Sequence, residues 1–158
     1  MKQSHEVYLS LGTNLGDKEN NLHRAIREIE KQIGSVTSLS AFYTTTPWGF
    51  QSEHGFLNAA CCVSTCLPPE DLLLKIKAME LLLGRTKKTV QTSYQDRMID
   101  IDILFYDDCI LHTETLILPH PLLHERDFVL LPLNEIASTL QHPVFKQTVS
   151  QLLAALKM

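Results

Sequence analysis

The sequence predicts an α+β fold: a single antiparallel sheet with helices on one face, plus extra elements at the C-terminal end. Three observations carry this. "RMIDIDILFY" (97–106) alternates, with Ile99, Ile101, Ile103 and Phe105 on one face and Met98, Asp100, Asp102, Leu104 and Tyr106 on the other, as a half-covered strand requires. Two segments carry helical apolar stripes that stop at a glycine. Between and before them lie apolar runs too short for helices.

In order, "HEVYLSLG" reads as a first strand and "GTNLGD" as a turn into a helix over about 18–33. Leu22, Ala25, Ile26, Ile29 and Ile33 form its stripe, and Gly34 its C-terminal stop. "SVTSLSAFYTT" reads as one continuous strand, followed by the loop "TPWGFQSEHG" and the strand "FLNAACCVSTC". "LPPEDLLLKIKAMELLLG" sets prolines at a helix start, apolar residues at Leu72, Leu73, Ile76 and Leu83, and Gly84 at the stop. The aspartate strand follows, and "YDDCIL" turns back into a short extra strand. The tail holds "RDFVLLPLNEIAS" and an amphipathic helix near 147–157. The core order is β-α-β-β-α-β, the split βαβ or ferredoxin-like arrangement.

A chain of 158 residues is expected to form one domain, 1–158, and no linker, repeat or low-complexity segment divides it. No apolar run reaches the length of a membrane span, and no signal-peptide pattern opens the chain. The four cysteines (Cys61, Cys62, Cys66, Cys109) lack a CxxC pair, so they read as reduced small hydrophobes in a cytoplasmic protein. A net charge of −4 argues against a general nucleic-acid surface while leaving room for a local polyphosphate site.

The chemistry begins with Asp100 and Asp102. Two residues along a strand puts their Cα atoms about 6.6–6.8 Å apart on one face. At an effective dielectric near 20 their repulsion is on the order of 3 kcal/mol, which water or a cation must relieve. On a partly covered face, a divalent metal suits the pair better than plain solvation. The loop "GRTKKTVQTSYQD" (84–96) carries Arg85, Lys87 and Lys88 and ends just before Arg97. Loops this long inside compact domains are often lids or binding loops, and this one can fold over the aspartates. A basic pair alone would simply be solvated; cations beside paired carboxylates suit phosphoryl transfer.

"LPHPLLHERDF" adds His120, held between two prolines, with His124, Arg126 and Phe128; no second histidine stands at zinc-ligand spacing. Phe42, Trp48, Phe50 and Phe56 surround a turn near Thr45, Thr46 and Asn58, the ingredients for holding a flat heterocycle. Phe42 and Tyr43 read as core residues. Asn58, an amide within an apolar strand, is the sharper signal because a buried amide needs a partner. "GTNLGD" lacks the ending of a phosphate-binding loop.

"SLGTNLGD", "FYTTTPWG", "FLNAA", "ELLLGR", "DRMIDIDILFYD" and "LPHPLLHERDFVLLPL", in this order, resemble the 6-hydroxymethyl-7,8-dihydropterin pyrophosphokinases of folate biosynthesis, over about residues 6–137. The resemblance implies transfer of pyrophosphate from ATP to the pterin hydroxymethyl group, with release of AMP. It implies Asp100 and Asp102 as ligands of two Mg²⁺ ions. Arg85, Lys88, Arg97, His120 and Arg126 would contact the ATP phosphates, with Glu80 and Ile103 near the nucleoside, and Arg85 and Arg97 would also serve catalysis. Thr45, Trp48, Phe56, Asn58 and Phe128 would line the pterin pocket, with Asn14 nearby. The partners implied are small molecules, with neither nucleic acid nor membrane, acting on a monomer. The chain departs from the family in "YQDR", where a Gly-Pro usually precedes the arginine, and in Thr115, where some members carry arginine. Two other functions fit an α+β sheet. An RNA-binding or sensor module would need aromatics where this chain has aspartates. A metal-dependent nucleotidyltransferase would release pyrophosphate rather than AMP.

Overall fold

A computed structural model describes residues 3–45, 55–84 and 98–156. The first strand, β1 (His5–Thr13), lies inside the sheet and pairs antiparallel on both sides, with β4 (Phe56–Thr65) and β5 (Asp100–Tyr106). β2 (Gly34–Leu39) pairs antiparallel with the far side of β4, giving the order β2-β4-β1-β5, and β3 (Tyr43–Thr45) pairs with the start of β4. Two βαβ units therefore interlock. β1–α1–β2 encloses β4, and β4–α2–β5 encloses β1, where α1 is Lys18–Gln32 and α2 is Pro69–Gly84.

Helix α1 starts because the Asp17 carboxylate accepts the Asn20 N–H at 3.2 Å, satisfying one donor of the open first turn. Its stripe buries Leu22, Ala25 and Ile29. Gly34, expected as a left-handed stop, is instead the first residue of β2. A Cβ there would lie 2.0 Å from the Ser64 carbonyl oxygen, so it is the approach of β4 that requires glycine. Helix α2 buries Leu72, Ile76, Met79 and Leu83 against the same face.

The segment expected as one strand over 35–45 is two. Between β2 and β3, the Ser40 hydroxyl accepts the Ala60 N–H at 2.9 Å, a ladder position that a backbone carbonyl would otherwise fill, and donates to the Ala41 carbonyl at 2.7 Å. A side chain that substitutes for the backbone in this way interrupts the strand.

Both sheet faces are covered. Under α1 and α2 lies a core of Val7, Leu9, Leu11, Ala59, Cys61, Val63, Ile99, Ile101 and Ile103. The extra C-terminal helices, α3 (Asp127–Ala137) and α4 (Val149–Leu156), pack on the opposite face over Ala60, Leu104 and Phe105. Strict alternation fails near the end of β5. The register shifts between Tyr8 and Leu9, which pair with Phe105 and Ile103, so Leu104 is an inserted residue. Beyond this bulge the faces exchange: Phe105 joins the α3/α4 core and Tyr106 the α1/α2 core, the reverse of the sequence expectation. The short strand expected after β5 leaves the main sheet; β6 (Leu111–His112) pairs with β7 (Ile117–Leu118). No helix among the described residues is long and apolar enough to cross a membrane.

Candidate active site

The strand registers align one row of residues across four strands: Tyr43 opposite Asn58, Asn58 opposite Gly12, and Gly12 opposite Asp100. Directly opposed residues share a face. The next row places Ser10 opposite both Ala60 and Asp102. These rows lie on the face away from α1 and α2, beside the part covered by α3 and α4. The sequence thus sets two half-buried aspartates and a 3 % exposed asparagine on one surface, separated by a glycine. Phe56 shares the face, two residues before Asn58.

Gly12 has a steric role. A Cβ on it would meet Asn58 Oδ1 at 3.0 Å, so any larger residue at that position would require the amide to shift. Sequence reading missed Gly12; its signal was a glycine inside an alternating strand, which often marks a close approach.

At the sheet edge, Glu80 of α2 reaches β5. Its Oε2 accepts the Ile101 N–H at 2.7 Å, holding the residue between the two aspartates. Burial pushes the Glu80 carboxyl up to about 7; Asp100 and Asp102 add to the rise, while the Ile101 N–H and Lys77 oppose it. Ile103 is 5 % exposed and its side chain packs in the α1/α2 core, so what it can offer a ligand is main chain.

The "LPHP" turn returns the chain to β5, where the His120 N–H donates to the Leu104 carbonyl at 3.0 Å. His120 Nδ1 accepts the Leu122 N–H at 3.1 Å, which leaves the ring proton on Nε2 in the neutral form. Burial, and then the Arg126 charge, lower the His120 pKa below its ordinary value, while Asp100 opposes them. Arg126 caps α3, and its guanidinium lies 5.7 Å from the centre of the Phe128 ring, within cation–π reach. Asn14 is fully buried just beyond β1.

Asp100, Asp102, Asn58 and Phe56 thus share the face away from α1 and α2, Glu80 reaches β5 at Ile101, His120 meets β5 at Leu104, and Arg126 and Phe128 stand at the start of α3. Thr45 belongs to β3 by its backbone. Trp48, Arg85, Lys88 and Arg97, and with them the expected lid, lie outside the described residues. Phe42 packs against the core as expected, but Tyr43 does not: it is half-buried and its hydroxyl donates to Glu135 of α3 at 2.7 Å.

Among the described residues no three His, Cys, Asp or Glu side chains converge on one point, so a cage made of protein ligands alone is not present there. Two carboxylates on one face suit a hard cation that takes its remaining oxygens from a phosphorylated substrate and water, as Mg²⁺ characteristically does.

The profile of the family described as 7,8-dihydro-6-hydroxymethylpterin-pyrophosphokinase (HPPK) matches residues 8–138. A Porphyromonas gingivalis protein named 2-amino-4-hydroxy-6-hydroxymethyldihydropteridine pyrophosphokinase is 46 % identical over 138 residues, covering 87 % of this chain and 93 % of that one. An Aquifex aeolicus protein of the same name is 38 % identical over 145 residues, covering 92 % and 88 %. The fold is similar to that in a crystal structure of Plasmodium falciparum HPPK-DHPS wild type with SDX-DHP. There the TM-score is 0.81 at 19 % identity, covering 98 % of this chain and 45 % of that longer one. The matched region spans the sheet, both crossing helices and the start of the C-terminal layer, which is the class of a small α/β kinase domain with an antiparallel sheet. The chain belongs to the 7,8-dihydro-6-hydroxymethylpterin-pyrophosphokinase family.

Proposed function

We propose that this pyrophosphokinase transfers the β,γ-pyrophosphoryl group of ATP to the hydroxymethyl oxygen of 6-hydroxymethyl-7,8-dihydropterin and releases AMP, in folate biosynthesis. The observation that carries this reading is the row Asn58–Gly12–Asp100, which sets a buried amide beside the carboxylate pair on one face. Asn58 reads the polar edge of the flat pterin, and Phe56 and Phe128 flank its faces. Asp100 and Asp102 would hold two Mg²⁺ ions, which when bound would supply charge neutralisation on the phosphates and acidify the attacking hydroxyl.

Arg126 and the His120 Nε2–H contact phosphate oxygens, and Arg85, Lys88 and Arg97, in the sequence between α2 and β5, do the same. Glu80, fixed to the Ile101 N–H, keeps that segment of β5 in place at the nucleoside end. With nucleophile and phosphorus aligned, a loose phosphoryl transition state needs charge neutralisation more than a protein base. Incubation with ATP, Mg²⁺ and the hydroxymethyl-dihydropterin, followed by chromatography, tests the reading. AMP and a pterin diphosphate are expected. Release of pyrophosphate with a nucleotidylated pterin would replace this reading with nucleotidyl transfer.

A further inference from the structure

The geometry points to Glu135 as a positioning residue for the pterin subsite, acting through β3 on the strand pair that presents Asn58. The inference rests on the proposed pterin site. One of the Glu135 oxygens, Oε1, accepts two hydrogen bonds, from Ala41 just before β3 and from Tyr43, the first residue of β3. The Ala41 N–H donates at 3.0 Å and the Tyr43 hydroxyl at 2.7 Å. Tyr43 stands directly opposite Asn58 in the β3–β4 register.

Three features single this contact out from ordinary surface pairing. Among the described residues β3 is three residues long and pairs with β4 through Tyr43, Thr44 and Thr45. Glu135 lies in the last turn of α3, where the helix dipole disfavours a carboxylate, so its position there is not explained by helix formation. A short hydrogen bond from a phenol to a carboxylate is charge-assisted and directional; consistently, the Tyr43 pKa is raised, first by that bond. The same helix has Arg126 at its N-cap and Phe128 in its first turn, so the helix that braces β3 through Glu135 also carries a residue proposed to line the pterin. Without Glu135 that linkage between α3 and β3 is lost.

The test measures dissociation constants for 6-hydroxymethyl-7,8-dihydropterin, with KM for ATP and kcat, in wild type, Glu135→Ala, Glu135→Gln, Tyr43→Phe and Asn58→Ala. Glu135→Ala is expected to weaken the pterin about tenfold with the ATP KM unchanged, the scale of losing one aligned hydrogen-bonded contact. Glu135→Gln keeps an acceptor and should recover most of that loss, and Tyr43→Phe should fall between. Equal pterin affinity in Glu135→Ala and wild type, while Asn58→Ala is weakened, would overturn the positioning role and leave the pterin site standing. Equal weakening of pterin and ATP would show a general structural role and overturn it too. Wild type that binds no pterin would remove the site reading itself, and this inference with it.

Discussion

A Cβ on Gly12 would stand 3.0 Å from Asn58 Oδ1, so a side chain on β1 at this point would press on that amide. Gly12 also sits opposite Asp100, at the midpoint between the proposed pterin and metal positions. Gly12→Ala should push the Asn58 amide out of line and weaken pterin binding about tenfold, within the usual cost of overpacking a filled site. ATP affinity should change little. Separate titrations of the two ligands check this; equal losses for both would assign Gly12 a role in folding alone.

Asp100→Asn and Asp102→Asn should each lower kcat at least ~100-fold with the fold intact, since each removes an anionic oxygen ligand from a Mg²⁺ that offsets phosphate charge. Both side chains are half-buried at the open end of the sheet, so neither change leaves a core cavity. Turnover across a Mg²⁺ titration, with thermal melts as control, measures it. Near-wild-type kcat in either variant would remove the metal assignment.

Glu80→Ala should cost about 1–3 kcal/mol in urea unfolding, because it strands the partly buried Ile101 N–H without an acceptor. Glu80→Gln retains an acceptor oxygen and should cost less than half as much. If the two variants unfold alike, the carboxylate contributes by something other than that hydrogen bond.

His142 gives a pH dependence away from the reacting groups. Its Nδ1 accepts the Val144 and Phe145 N–H groups at 3.2 and 3.1 Å, and burial, followed by the nearby His124, lowers its pKa from 6.5. The neutral ring is therefore favoured on folding. Below pH 6.5 the unfolded chain takes up the proton first, so stability is full above that pH and is lost as pH falls through the folded value. His142→Asn, which keeps an acceptor but does not titrate, should flatten Tm against pH in this window relative to wild type. Parallel curves for the two proteins would show that another group sets the slope.

Periodicity made most of the fold legible in the sequence: α1, α2, β1, β4 and the aspartate strand all stand where local pattern places them. What escaped were contacts between segments distant in the chain. The Leu104 bulge is invisible to alternation, because an inserted residue is defined only by the partner strand, and it moved Phe105 and Tyr106 to opposite faces. Ser40 looks like one more strand residue in the sequence, but its hydroxyl stands in for the backbone against Ala60. At the proposed site, Asp100, Asp102 and Asn58 stand out in the sequence because polar residues in apolar strands violate the pattern. Gly12 and Tyr43 were not, since each acquires its role only from register with Asn58.

The most direct measurement follows the phosphorus atoms. With ATP labelled at the β-phosphorus, Mg²⁺ and 6-hydroxymethyl-7,8-dihydropterin, one turnover should place the label in a pterin diphosphate and leave the released AMP unlabelled. Label recovered in free pyrophosphate, or in ADP beside a pterin monophosphate, would contradict attack at the β-phosphorus and with it the proposed reaction.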